Sequence, residues 1–181
     1  MVNEFTSDIH RAATWSLVLS VLMMATGALA IALPMVAGFA VTGIVGWLLI
    51  FSGALHLALA LSGGGATAVV WEIVLGVLYG AIGFYLLANP VAGLESLTLA
   101  IAVYLFVEGI VEFVLSFQLR HRTGAGWLLV DGIITLVLSV LIWTTYPSSA
   151  AWVVGTLVGI SMLFSGITRF MLSRRIRRLA V

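Results

Sequence analysis

The chain has 181 residues, of which 62% are apolar and only 8% charged, with a mean hydropathy of +1.23, whereas a soluble domain carries about a quarter charged residues. Water is therefore not its main solvent, and the absence of cysteine excludes both a disulfide framework and a thiolate metal site. The net charge is +1, from eight arginines against seven acids, and four arginines on a short tail make no surface for reading nucleic acid.

Six apolar stretches use up nearly the whole chain, and each can cross roughly 30 Å of hydrocarbon at about 1.5 Å per residue. The first runs from Ala13 to Leu33 and contains the small-residue run Ala28-Leu29-Ala30. It is longer than a signal-peptide core and shares landmarks with the later spans, so it reads as a retained helix. The second, Gly38 to Leu61, follows Pro34, and the third, Ala68 to Ala88, opens on Trp71 and Glu72. A carboxylate there suits both the interface and the positive end of a helix dipole. The fourth, Leu94 to Phe117, carries Tyr104, Glu108 and Glu112 at intervals of four. The fifth, Gly126 to Thr145, has Asp131 one turn after Trp127, and the sixth, Ala150 to Leu172, leads into an arginine-rich tail. No strand-like alternation marks a membrane barrel, which leaves helices to satisfy the backbone.

The spans repeat. Trp15, Trp71 and Trp127 are 56 and 56 residues apart, Pro34, Pro90 and Pro147 are 56 and 57 apart, and so are Gly53, Gly109 and Gly166. Gly27, Gly83 and Ser139 each fall 12 residues after the tryptophan. A fixed period of this kind defines the architecture. Tryptophan prefers the membrane interface, and proline ends one helix and permits a tight reversal. The fold class expected is an all-α membrane protein of six transmembrane helices, arranged as three tandem helical hairpins with parallel pseudo-repeat symmetry. The domain plan is a cytoplasmic segment over 1–12, a six-helix domain over 13–172 with repeats at about 13–61, 68–117 and 126–172, and a basic tail over 173–181.

Every arginine falls at the end of the spans shared by both termini: Arg11, Arg120, Arg122, Arg169, Arg174, Arg175, Arg177 and Arg178. The positive-inside rule puts that end, and the turns near Gly63 and His121, in the cytoplasm. The Arg174 to Arg178 cluster reads as a topology anchor or as a contact for anionic lipid headgroups. Gly76-x-x-x-Gly80 and Gly155-x-x-x-Gly159 place small residues on one helix face and read as internal packing surfaces.

Ionisable groups inside a membrane cost at least about 2.5 kcal/mol and mark candidate sites. Aligned at the repeated glycine, Ser52, Glu108 and Ser165 precede it by one residue, and His56, Glu112 and Arg169 follow it by three. Two readings stand beside each other. These positions either snorkel to the cytoplasmic boundary, or His56, Glu112 and Arg169 converge and neutralise one another, leaving Glu108 as a proton site. Asp131 is either an interfacial carboxylate or a proton acceptor. No Walker loop or dinucleotide fingerprint is present, Gly63-Gly64-Gly65 is a flexible turn, and His10, His56 and His121 make no zinc pattern. No catalytic, cofactor or metal residues are expected.

The repeated hairpin, its turns Leu33-Pro34, Asn89-Pro90 and Tyr146-Pro147, and the endings Gly53-Ala54-Leu55-His56, Gly109-Ile110-Val111-Glu112 and Gly166-Ile167-Thr168-Arg169 resemble the HdeD family of bacterial membrane proteins over nearly the whole chain. The resemblance implies a non-enzymatic inner-membrane protein that supports acid or envelope stress resistance, and it carries over no catalytic residue. A proton or small-solute transporter using His56, Glu108, Glu112 and Asp131 is the alternative, with a lipid-directed enzyme third. Partners expected are membrane lipids, another copy of the chain, and an unidentified membrane or periplasmic protein.

Overall fold

A computed structural model describes residues 2–119 and 125–179, with side chains over 15–119 and 126–173. Arg11, Arg120, Arg122, the Arg174 to Arg178 cluster, His10 and His121 lie outside those side chains. The helices are α1 (Val2–Ala32), α2 (Pro34–Leu61), α3 (Ala66–Ala88), α4 (Pro90–Gln118), α5 (Ala125–Thr144) and α6 (Val153–Leu179), with one 3-10 turn at Ser148–Ala151. No strand occurs among the described residues. All six helices contain a stretch long and apolar enough to cross a membrane.

The prolines act where sequence places them. Leu33 alone separates α1 from α2 and Asn89 alone separates α3 from α4, with Pro34 and Pro90 as first helical residues. There the missing N–H costs nothing, because first-turn amides have no helical acceptor. The third reversal is longer. Its extra residue precedes Pro147, which follows a cis peptide from Tyr146, and the 3-10 turn intervenes before α6. At the opposite end, α2 leaves through Gly63, whose φ of +83° favours glycine.

The chain divides into two compact units, one of residues 1–37 and 155–181 and the other of residues 38–154. In the first, α1 packs on α6: a Cβ on Gly27 would lie 2.8 Å from the Gly159 carbonyl oxygen, and one on Gly166 would lie 3.0 Å from that of Ser20. In the second, α2 meets α3 with Gly53 against the Gly76 carbonyl (2.7 Å) and Gly83 against that of Gly46 (2.6 Å). Also in that unit, α4 meets α5, with Gly109 against Gly132 (3.1 Å) and the Ser139 hydroxyl donating to the Ala102 carbonyl (3.0 Å). These are backbone-to-backbone approaches that only small residues permit, the form helix association takes where lipid offers apolar side chains no advantage over one another.

Burial is correspondingly inverted relative to a soluble domain. The side chains with almost no exposure include Ser20, Thr42, Thr98, Ser139 and Ser149, while Phe51, Phe84 and Phe164 are about two-thirds exposed, at 66%, 68% and 69%. Two of the buried hydroxyls are satisfied within their own helix: Thr42 donates to the Gly38 carbonyl (2.9 Å) and Thr98 to that of Leu94 (2.8 Å). Within the second unit a small apolar core gathers Leu94, Ala150 and Val154, with Phe39, Val41, Leu97 and Ile101 against it.

Candidate functional site

The close crossings fix where the polar groups fall. Antiparallel α2 and α3 touch at Gly53 and Gly76, so a residue one turn beyond Gly53 meets one a turn before Gly76. Those residues are His56 and Glu72. His56 Nδ1 lies 2.6 Å from Glu72 Oε2, with the side chains 25% and 32% exposed. The Tyr79 ring stands 5.4 Å from the imidazole, centroid to centroid, and tilted to it. Sequence reading gave Glu72 only an interfacial role. The signal for its pairing was present in the repeat, because Gly53 and Gly76 hold fixed offsets from Pro34 and Trp71.

The α4 and α5 pair carries different residues at the same register. Glu112 stands one turn beyond Gly109, but the position one turn before Gly132 is Leu128, which offers no hydrogen bond. Glu112 packs its Cβ against Gly132, and its Oε2 is buried without a hydrogen-bond partner. Glu108 stands one turn before it on the same helix, and Asp131 is the chain neighbour of Gly132. Glu108 in turn accepts a hydrogen bond from the Tyr104 hydroxyl at 3.2 Å, as their spacing of four on one helix predicts. Asp131 is exposed and lines an open groove of about 460 Å³ with Trp127, Leu128, Val130 and Ile134. All five belong to α5, so the groove is a surface concavity along one helix.

In the first unit the corresponding residues are Arg169 on α6 and Ser16 on α1. Arg169 is exposed. Ser16 accepts a hydrogen bond at 2.7 Å from the hydroxyl of Ser173, one turn further along α6. The structure thus pairs His56 with Glu72; His56 and Glu112 belong to the second unit and Arg169 to the first. Among the described residues, no three His, Asp or Glu side chains are grouped to hold a metal ion.

Six long apolar helices, large apolar side chains turned outward and small or hydroxyl residues at the crossings define a multi-pass helical membrane protein. The chain belongs to the family of the short repeat of unknown function (DUF308), whose model matches residues 18–87 and 74–144. The two matches begin 56 residues apart, the interval between Trp15 and Trp71. The chain is also 28% identical over 156 residues to Protein HdeD of Escherichia coli K12, covering 84% of this chain and 81% of that protein. The HdeD proteins of Escherichia coli O157:H7 and Shigella flexneri match to the same extent. No solved structure matches the chain.

Proposed function

We propose that this is a non-enzymatic multi-pass protein of the bacterial inner membrane that supports survival under acid or envelope stress. The observation that carries the reading is the similarity to Protein HdeD across 84% of the chain, joined to the match of the short-repeat family. Both termini face the cytoplasm in this proposal, for which the one-sided arginines are the support. The partners proposed are membrane lipids, a further copy of the chain, and an unidentified membrane or periplasmic protein. Deletion of the gene is expected to lower survival after acid challenge, with recovery on complementation; unchanged survival of the deletion strain refutes the reading.

We propose further that the chain is built of three equivalent units, as the hairpin plan requires. The support is that Gly53·Gly76, Gly109·Gly132 and Gly166·Ser20 occupy matching offsets from the repeated prolines and tryptophans, as do Gly46·Gly83, Ala102·Ser139 and Gly159·Gly27. A second functional reading, a proton or small-solute transporter using Glu108, Glu112, His56 and Asp131, is favoured by the buried, unpartnered Glu112 Oε2. It requires proton flux in proteoliposomes that is lost in Glu108→Gln. Wild-type protein that conducts no protons removes it.

A further inference from the structure

We propose that the groove along α5 holds the headgroup of a phospholipid bearing a primary ammonium, a phosphatidylethanolamine, with its nitrogen between the Asp131 carboxylate and the Trp127 indole. The inference rests on the proposal that membrane lipids are partners of the chain, and adds to it a place and a headgroup.

The repeat supplies the first observation. Four residues after its tryptophan the first copy has Leu19 and the second Leu75, whereas the third has Asp131. Asp131 is exposed, and Val130 and Ile134 beside it are turned outward as well. At about 1.5 Å per residue it stands on the order of 6 Å deeper than Trp127. Its single methylene is too short to carry the carboxylate back to water, as a long side chain would. The helix dipole does not neutralise it either, because α5 begins at Ala125 and that effect fades within the first turn. The helices α4 and α5 carry Glu95, Glu108, Glu112 and Asp131 and no basic residue, and Asp131 makes no hydrogen bond or ion pair with any of the described residues. A carboxylate facing lipid at this depth needs a cation, and a headgroup ammonium is the cation that a bilayer itself supplies.

The groove fits the same ligand. Trp127, Val130, Asp131 and Ile134 recur at i, i+3, i+4 and i+7, on one face of α5, and with Leu128 they line a volume of about 460 Å³. Side chains on a helix lean toward its N-terminus, which carries the Asp131 carboxylate toward Trp127, whose side chain is 81% exposed. A primary ammonium there donates a charge-assisted hydrogen bond to the carboxylate and lies against the indole face as a cation–π contact. A choline headgroup has no N–H to donate and keeps only the second interaction. Ile134, one turn deeper, meets the start of an acyl chain, so polar and apolar lining follow each other in the order of a lipid molecule. The acid beside the second tryptophan, Glu72, is already bonded to His56.

The test is native mass spectrometry of the full chain in a mild detergent at neutral pH, with an equimolar mixture of phosphatidylethanolamine and phosphatidylcholine of identical acyl chains. The wild type is expected to retain the ethanolamine lipid several-fold more than the choline lipid. Asp131→Leu installs the residue of the other two copies, so it folds, and it is expected to retain the two lipids alike. Trp127→Leu should lower the retention of both. Glu95→Gln removes the same charge near the start of α4, at the opposite end of the α4 and α5 pair, and should keep the preference. Equal retention of the two lipids by the wild type overturns the proposal and leaves lipids as partners, whereas retention of neither overturns both. An undiminished preference in Asp131→Leu, undiminished retention in Trp127→Leu, or a preference lost in Glu95→Gln also overturns it.

Discussion

Replacing Gly53 by alanine adds one methyl group at a point where nothing can step aside. The new carbon would stand 2.7 Å from the Gly76 carbonyl oxygen and 2.8 Å from the Gly80 nitrogen, both backbone atoms of α3. A methyl group has no rotamer through which to escape, so α2 and α3 must separate, and overpacking of this kind costs about 1 to 3 kcal/mol. Alanine returns up to about 1 kcal/mol through its better helix propensity. The net expectation is a loss of about 1 to 2 kcal/mol, or about 2 to 8 °C in Tm for a chain of this size. Gly43 provides the control on the same helix, since a Cβ there meets nothing within 4 Å. Gly43→Ala should be neutral or slightly stabilising. The assay is reversible unfolding in mixed micelles, or steric trapping in bicelles, for both variants and the wild type. Gly53→Ala as stable as Gly43→Ala would refute the account of the crossing.

Three other outcomes are expected. Ser139→Ala removes the hydroxyl bond to the Ala102 carbonyl between α5 and α4 and should cost about 0.6 kcal/mol, the average for such bonds in a membrane. His56→Ala leaves the Glu72 carboxylate without its partner; with both groups partly exposed the loss should be about 1 kcal/mol, read by the same unfolding assay at neutral pH. Reporter fusions after the C-terminus and within the Gly63 turn should report the cytoplasmic side, and a fusion at Asn89 the opposite side.

Much of the fold was legible because its signals are chemically blunt. Length and apolarity alone mark six spans, and Pro34 and Pro90 start helices because a residue without an N–H fits the first turn. The third reversal was less legible, since one inserted residue before Pro147 changes a single-residue link into a longer turn with a 3-10 segment. Gly76 and Gly159 were recognisable as packing residues, but which helix each faced was not. A glycine says that something comes close without saying what. Sequence grouped the helices joined by the proline turns, whereas the close crossings described here join α2 to α3, α4 to α5 and α6 to α1. The small residue five positions after each tryptophan, Ser20, Gly76 and Gly132, carried that information once set beside Gly166, Gly53 and Gly109. For the same reason the partner of His56 was not legible. The repeat aligns His56 with Glu112 and Arg169 as equivalents, and equivalent positions in a repeat are not thereby neighbours.

The pairing of α1 with α6 bears on how the chain is made. Gly27 leaves the ribosome on the order of 130 residues before Gly159, the residue it packs against, which at about 5 to 20 residues per second is a wait of roughly 7 to 26 s. The partners of α2 and α4 are the next helices to be synthesised. For α1 alone, the face bearing Ser20 and Gly27 has to be held in the bilayer, by lipid or by the insertion machinery, until α6 has been made. A chain cut short before α6 would therefore keep an open small-residue face on α1, along Ser20 and Gly27.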